Sequence, residues 1–319
     1  MIRGMFQHTT VYSQLVITLA LTFAMIFLSS ALAMLIAIPM FHLDISNLSA
    51  IFENLNDPQN VSILKFFQII QSLFGFVLAA LLLALLFSEN SNQYLSLENK
   101  PTILSAIISV LLIISIFPFI NALGALNSQI HFPEFLNGFE NYLTSQDKQN
   151  ERLMEAFLGD TNFRGLFVNI VMIAIIPAIG EELLFRGVLQ NIFRKMTKNY
   201  HWGIWISAIL FSLIHMQFSG FLPRAILGAT FGYMLVWSGS IWVPILAHFV
   251  NNLSAVILYY LVNTNTISKD VPEYGVSVEA LPAVLLSMAI SGFFIWYFYK
   301  RSVLSAQIDN NLKKEQEEE

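Results

Sequence analysis

The feature that most constrains this chain is a series of long apolar runs almost free of charge. A hydrocarbon core about 30 Å thick takes roughly 20 apolar helical residues to cross. Eight stretches reach or approach that length: 11–40, 62–88, 102–123, 165–192, 203–217, 222–238, 241–263 and 280–299. With no water to pair backbone groups in lipid, such stretches span as helices. The fold class read from them is all-α, a polytopic membrane helix bundle of about eight transmembrane helices. Composition agrees. Hydrophobic residues make up 56% of the 319 and charged ones 12%, against roughly 25% charge in a soluble domain. "ALA" at 31–33 imitates a signal cleavage site. The run before it is far longer than the roughly 7–15 residues of a signal core, and apolar sequence continues after it. It reads as an uncleaved first span.

There are no cysteines, which excludes disulfides, thiolate metal sites and cysteine nucleophiles. The net charge of −5 resides in loops and in the tail "KKEQEEE", and nothing points to a nucleic-acid partner. Lys/Arg bias sets orientation. With the N-terminus inside, nine basic residues are cytoplasmic: Arg3, Lys100, Arg194, Lys195, Lys198, Lys300, Arg301, Lys313 and Lys314. Four, Lys148, Arg152, Arg164 and Lys269, fall outside among acids. Both termini are therefore expected in the cytoplasm. The longest loop, 124–164, falls outside, and its apolar spacing matches in part an amphipathic helix, placed on the membrane surface or across the bundle. The chain divides into N-terminal helices with that loop (1–164), a core (165–257), and a last helix with a charged tail (258–319).

Ionisable groups inside spanning segments are expensive and mark functional sites. Three clusters occur, each in a different segment of the second half. In "GEELLFR", neighbouring helical residues point about 100° apart, so Glu181 and Glu182 face different targets. Glu182 and Arg186 stand four apart, acid first, the favoured order for an ion pair. That leaves Glu181 free for chemistry. In "FSLIHM", Phe211 and His215 share a face. In "AHFVNN", His248 precedes Asn251 by three residues and Asn252 by four, so both amides lie near the imidazole. A bland reading stands beside each: charges snorkelling to the interface, a packed histidine, a polar clamp between helices.

Together, one Glu, two His and one Asn can activate a water and stabilise an oxyanion. The same Glu/His/His set can also hold a zinc with an open position. HExxH and GxSxG are absent, as are GxGD and GxSG, so established zinc, serine and aspartate sites find no support. At about 1.5 Å per residue, Glu181 and His248 come out roughly 10–15 Å from the cytoplasmic face, with His215 several ångströms deeper.

The ordered motifs EExxxR (Glu181, Glu182, Arg186), FxxxH (Phe211, His215) and HxxxN (His248, Asn252) resemble the CPBP family, the CAAX proteases and bacteriocin-processing enzymes also called Abi or Rce1-like. The resemblance covers about 165–257. It implies an eight-helix bundle whose polar cavity opens toward the cytoplasmic leaflet, and endopeptidase hydrolysis of a membrane-associated protein or peptide. By motif, Glu181 and His215 activate the water, His248 and Asn252 form the oxyanion hole, and Glu182, Arg186 and Phe211 support them. Members are often described as metalloproteases. A metal, if used, falls to Glu181, His215 and His248, whereas the preferred mechanism needs no cofactor. The implied setting is multi-pass in a bacterial cytoplasmic membrane. The alternative is a non-catalytic scaffold or bacteriocin-immunity-type protein of the same fold. A proton-coupled carrier would call for inverted repeats, and the first half has no counterpart of the polar clusters.

Overall fold

The computed structural model describes residues 2–44, 48–268 and 276–318; Lys269 and the loop after it lie outside them. Among the described residues the chain is helical, with no strand. Its principal helices are α1 (Val11–Phe41), α2 (Pro58–Phe87), α3 (Ile103–Asn127), α4 (Asn137–Leu158), α5 (Phe163–Thr197), α6 (Tyr200–Leu213), α7 (Phe221–Ser238), α8 (Trp242–Asn263) and α9 (Leu281–Glu318). Helix starts follow side-chain capping of free backbone N–H groups. Thr10 accepts from Ser13 N at 3.2 Å, Thr102 from Ser105 N at 3.1 Å, Asn162 from Gly165 N at 2.8 Å, and Asn199 from His201 N at 2.8 Å. At the other end of α7, Gly239 takes a left-handed φ of 67°, a conformation that glycine adopts without strain.

Among the described residues six helices are long and apolar enough to cross a membrane: α1, α2, α3, α5, α8 and the Leu281–Leu304 part of α9. The expected count of eight is thus not matched by that measure. The shortfall is at the fifth and sixth stretches. α6 has 14 residues and stops at Leu213, and α7 has 18. The turn "IHMQFSG" between them is not helical, and Met216 there has φ 52°. Large apolar side chains such as Phe23, Phe27, Ile114 and Leu286 point outward, as lipid-facing positions require.

α5 is the central element. In its span 44% of the most apolar window is buried, against 22% in α1, α8 and α9. It packs on α1, α2, α6 and α8. π-helical stretches at Ile170–Ile175 and Leu183–Leu189 flank a short α segment, Ile176–Glu182, which carries both carboxylates; such bulges recur at functional sites. Gly180 allows α2 to come close, since a Cβ there would stand 2.9 Å from Phe76 Cβ.

α4 lies in the 124–164 loop. It packs on the bundle through part of its surface. Leu143, Phe157 and Leu158 are buried. Asn169 donates to Phe157 O at 2.9 Å, Asn263 to Leu158 O at 3.1 Å, and Ser219 N to Asp147 Oδ2 at 3.0 Å.

Candidate active site

Glu182 and Arg186 sit inside the protein rather than at an interface. Their side chains are 0% and 1% exposed, and Arg186 Nη1 stands 3.1 Å from Glu182 Oε1. Arg186 also donates through Nη2 to Gly228 O at 3.0 Å. Its guanidinium lies 4.7 Å from the centre of the Phe211 ring and 5.5 Å from that of Phe231, within cation–π range. The approach depends on Gly228 and Gly232 of α7, a small-xxx-small spacing that lets helices close up. A Cβ at Gly228 would meet Arg186 Nη2 at 3.1 Å, and one at Gly232 would meet Gln190 Oε1 at 2.6 Å.

The same Glu182 oxygen accepts from His248 Nδ1 at 2.9 Å. That oxygen faces Arg186 as an acceptor, so the proton on the ring nitrogen is assigned by its partner. His248 also stacks on Phe231, with centroids 5.2 Å apart and planes 16° apart. Held on two sides, it directs Nε2 toward Glu181, whose Oε2 is 3.8 Å away. Glu182 therefore both pairs with Arg186 and orients His248. The helical spacing foretold the first contact; the second joins residues 66 apart in sequence, out of reach of any local pattern.

His215 lies just past the end of α6. Its Nδ1 contacts Phe211 O at 2.7 Å, and the two rings stand 4.9 Å apart. A carbonyl only accepts, so Nδ1 carries the proton, and Nε2 of the neutral ring keeps a free lone pair. Asn252 donates to Ile173 O at 3.0 Å and accepts from Asn251 Nδ2 at 3.1 Å. One of its N–H bonds remains for another acceptor.

Glu181, His215, His248, Asn251 and Asn252 line one cavity of about 560 Å³, together with Arg224 and Gln217. Sequence reasoning passed over Arg224, Gln217 and Phe231, and over Gly228 and Gly232, whose GxxxG spacing is the signal that could have found them. α5 runs to Thr197, past the expected end at 192. At about 1.5 Å per residue Glu181 is then about 24 Å from that end and about 27 Å from Phe163.

The cavity wall comes mainly from α4, the first part of α5, the 214–220 turn, the first part of α7 and the middle and last parts of α8. These meet at the end of the bundle where α3 ends and α5 begins, opposite the end that carries Lys100, Arg194 and Lys198. Among the described residues no group of three or more His, Cys, Asp or Glu is placed to hold a metal ion as the side chains stand.

Comparison with known proteins agrees with this region. Residues 163–254 match the family model described as type II CAAX prenyl endopeptidase Rce1-like. The resemblance carried by the three motifs is borne out for this region, which matches that family model, and the apolar helices make the chain a multi-pass membrane protein. It is 30% identical over 86 residues to "Uncharacterized protein YpbD" of Bacillus subtilis, covering 26% of this chain and 41% of that one. It is 29% identical over 105 residues to an "Uncharacterized 24.3 kDa protein" of Escherichia coli, covering 31% and 47%. It is 30% identical over 89 residues to "Putative membrane peptidase YdiL" of Bacillus subtilis, covering 28% and 36%. The chain thus spans less than half the length of these three relatives. No solved structure matches it significantly.

Proposed function

We propose that this protein is an intramembrane endopeptidase that hydrolyses a peptide bond of a membrane-associated protein or peptide. The observation that carries the reading is the common cavity of Glu181, His215, His248 and Asn252, each with an unused valence turned to chemistry. Glu181 makes no ion pair with Arg186 and takes a proton from water. The free Nε2 of His215 shares that water. The hydroxide adds to the scissile carbonyl, and the spare N–H of Asn252 donates to the oxyanion. His248 joins as donor through Nε2 when its ring is protonated, because Glu182 occupies Nδ1. The proton held by Glu181 then passes to the leaving amine.

The test is cleavage of membrane-anchored peptides by the purified protein in proteoliposomes. Asn252→Ala is expected to lower kcat by about 10²- to 10³-fold, the usual cost of one oxyanion donor. His215→Ala is expected to fall in a similar range, with KM little changed. Wild-type rates in both variants favour the scaffold or immunity-type reading instead.

Orientation follows from charge. The end bearing Lys100, Arg194, Lys195 and Lys198 belongs in the cytoplasm. The cavity then opens on the extracytoplasmic side, against the cytoplasmic-leaflet opening that the family resemblance implies. The absence of cysteine makes this simple to check, because any introduced thiol is the only one. Thr144→Cys on α4 and Lys100→Cys at the opposite end are both exposed positions. In intact cells an impermeant maleimide is expected to label the first and spare the second; the reverse pattern inverts the topology.

A further inference from the structure

Resting on the peptidase reading, the geometry points to Arg224 as a specificity residue that takes a carboxylate of the peptide substrate. Arg224 lines the same cavity as Glu181 and His215. Arg186, the neighbouring guanidinium, is consumed by Glu182. Arg224 has no such partner: among the described residues no carboxylate comes within 4.0 Å of it. Its one side-chain bond goes from Nη2 to the neutral Gln217 Oε1 at 2.5 Å, which positions the group without cancelling its charge. Nη1 is buried and has no hydrogen-bond partner among the described residues. Space has been left for this arrangement at Gly220, where a Cβ would stand 2.9 Å from Nη2 and 3.4 Å from Nη1. Glu181 and Asp147 act on the guanidinium only through space.

A planar cation with an unused donor, fixed at the wall of a cavity, is built for a carboxylate. At about 560 Å³ the cavity holds a short peptide segment, so the anchored group lies close in sequence to the bond that is cut. Two sources share this chemistry: an Asp or Glu side chain, and the α-carboxylate of a chain end.

The experiment uses the full-length protein in proteoliposomes with a library of acyl-anchored peptides read by mass spectrometry. Each sequence is made with Asp or Glu and with Asn or Gln at every position, and with a free-acid and an amidated C-terminus. The wild type is expected to favour carboxylate-bearing members by about 10- to 100-fold in kcat/KM, mostly through KM. Preference confined to the free-acid forms identifies the chain end as the source; preference confined to Asp or Glu members identifies a side chain. Arg224→Gln is expected to remove the preference while still cutting the neutral members, and Arg224→Lys to keep part of it. Should Arg224→Gln fail to fold, the Lys variant and the wild-type preference still decide. If the wild type cuts acidic and neutral members alike, or Arg224→Gln keeps the preference, the assignment to Arg224 is overturned. If the wild type cuts no peptide at all, the peptidase reading itself falls.

Discussion

Glu181→Gln is expected to lose cleavage by about 10³-fold or more in kcat while leaving the fold intact. Glutamine matches the shape of the side chain and cannot accept a proton from water. A positioned general base contributes about 10²- to 10⁴-fold, and here the same group also delivers the proton to the leaving amine. Stability is spared for a geometric reason. The contact of Glu181 with His248 is long, at 3.8 Å, and its side chain is 16% exposed to the cavity. Glu182, one residue on, holds Arg186 and His248. Turnover in proteoliposomes, read beside melting in detergent, separates the two effects. Full turnover in Glu181→Gln sinks the proposed base, and lost turnover with a lowered melting point leaves only a folding defect.

The division of labour within "EELLFR" was legible because it is local. Helical geometry alone separates the two carboxylates and pairs the second with Arg186. The existence and order of the apolar helices were legible for a similar reason, since hydropathy is a property of each segment. What escaped is non-local or belongs to turns. The bond from His248 to Glu182 depends on how α8 packs on α5. The stop of α6 at Leu213 has no proline or nearby glycine to announce it, so His215 was read as part of a spanning helix. The ring contact with Phe211 survives because the chain still completes about one turn before it departs. Arg224 fell at the start of the 222–238 stretch, and nothing in "FLPRAI" shows that the guanidinium turns into the cavity. The end of α5 escaped as well, because the helix continues beyond 192 through Arg194 and Lys195, residues that look like an interfacial stop.

Arg186→Met is expected to be the most destabilising single change at this site. It leaves the carboxylate of Glu182, 0% exposed, without its cation. Breaking a buried pair from one side costs about 3–5 kcal/mol. The carbonyl of Gly228 loses its donor and two aromatic rings lose the guanidinium above them. The double variant Glu182→Leu/Arg186→Met is predicted to recover most of that loss, because replacing both members of a buried pair by apolar groups is often neutral or stabilising. Turnover is not predicted to return with it. Without Glu182, His248 Nδ1 has no carboxylate to hold its tautomer and ring orientation, so the Nε2 edge toward Glu181 is no longer set. Melting in detergent and turnover should therefore part company: low and low in the single variant, near wild type and low in the double. If the double variant both folds and cleaves at the wild-type rate, Glu182 is a structural counterion alone and the orienting role assigned to it is wrong. If the single variant melts like the wild type, the buried pair contributes little to the fold, and the central place given to it in the bundle has to be withdrawn.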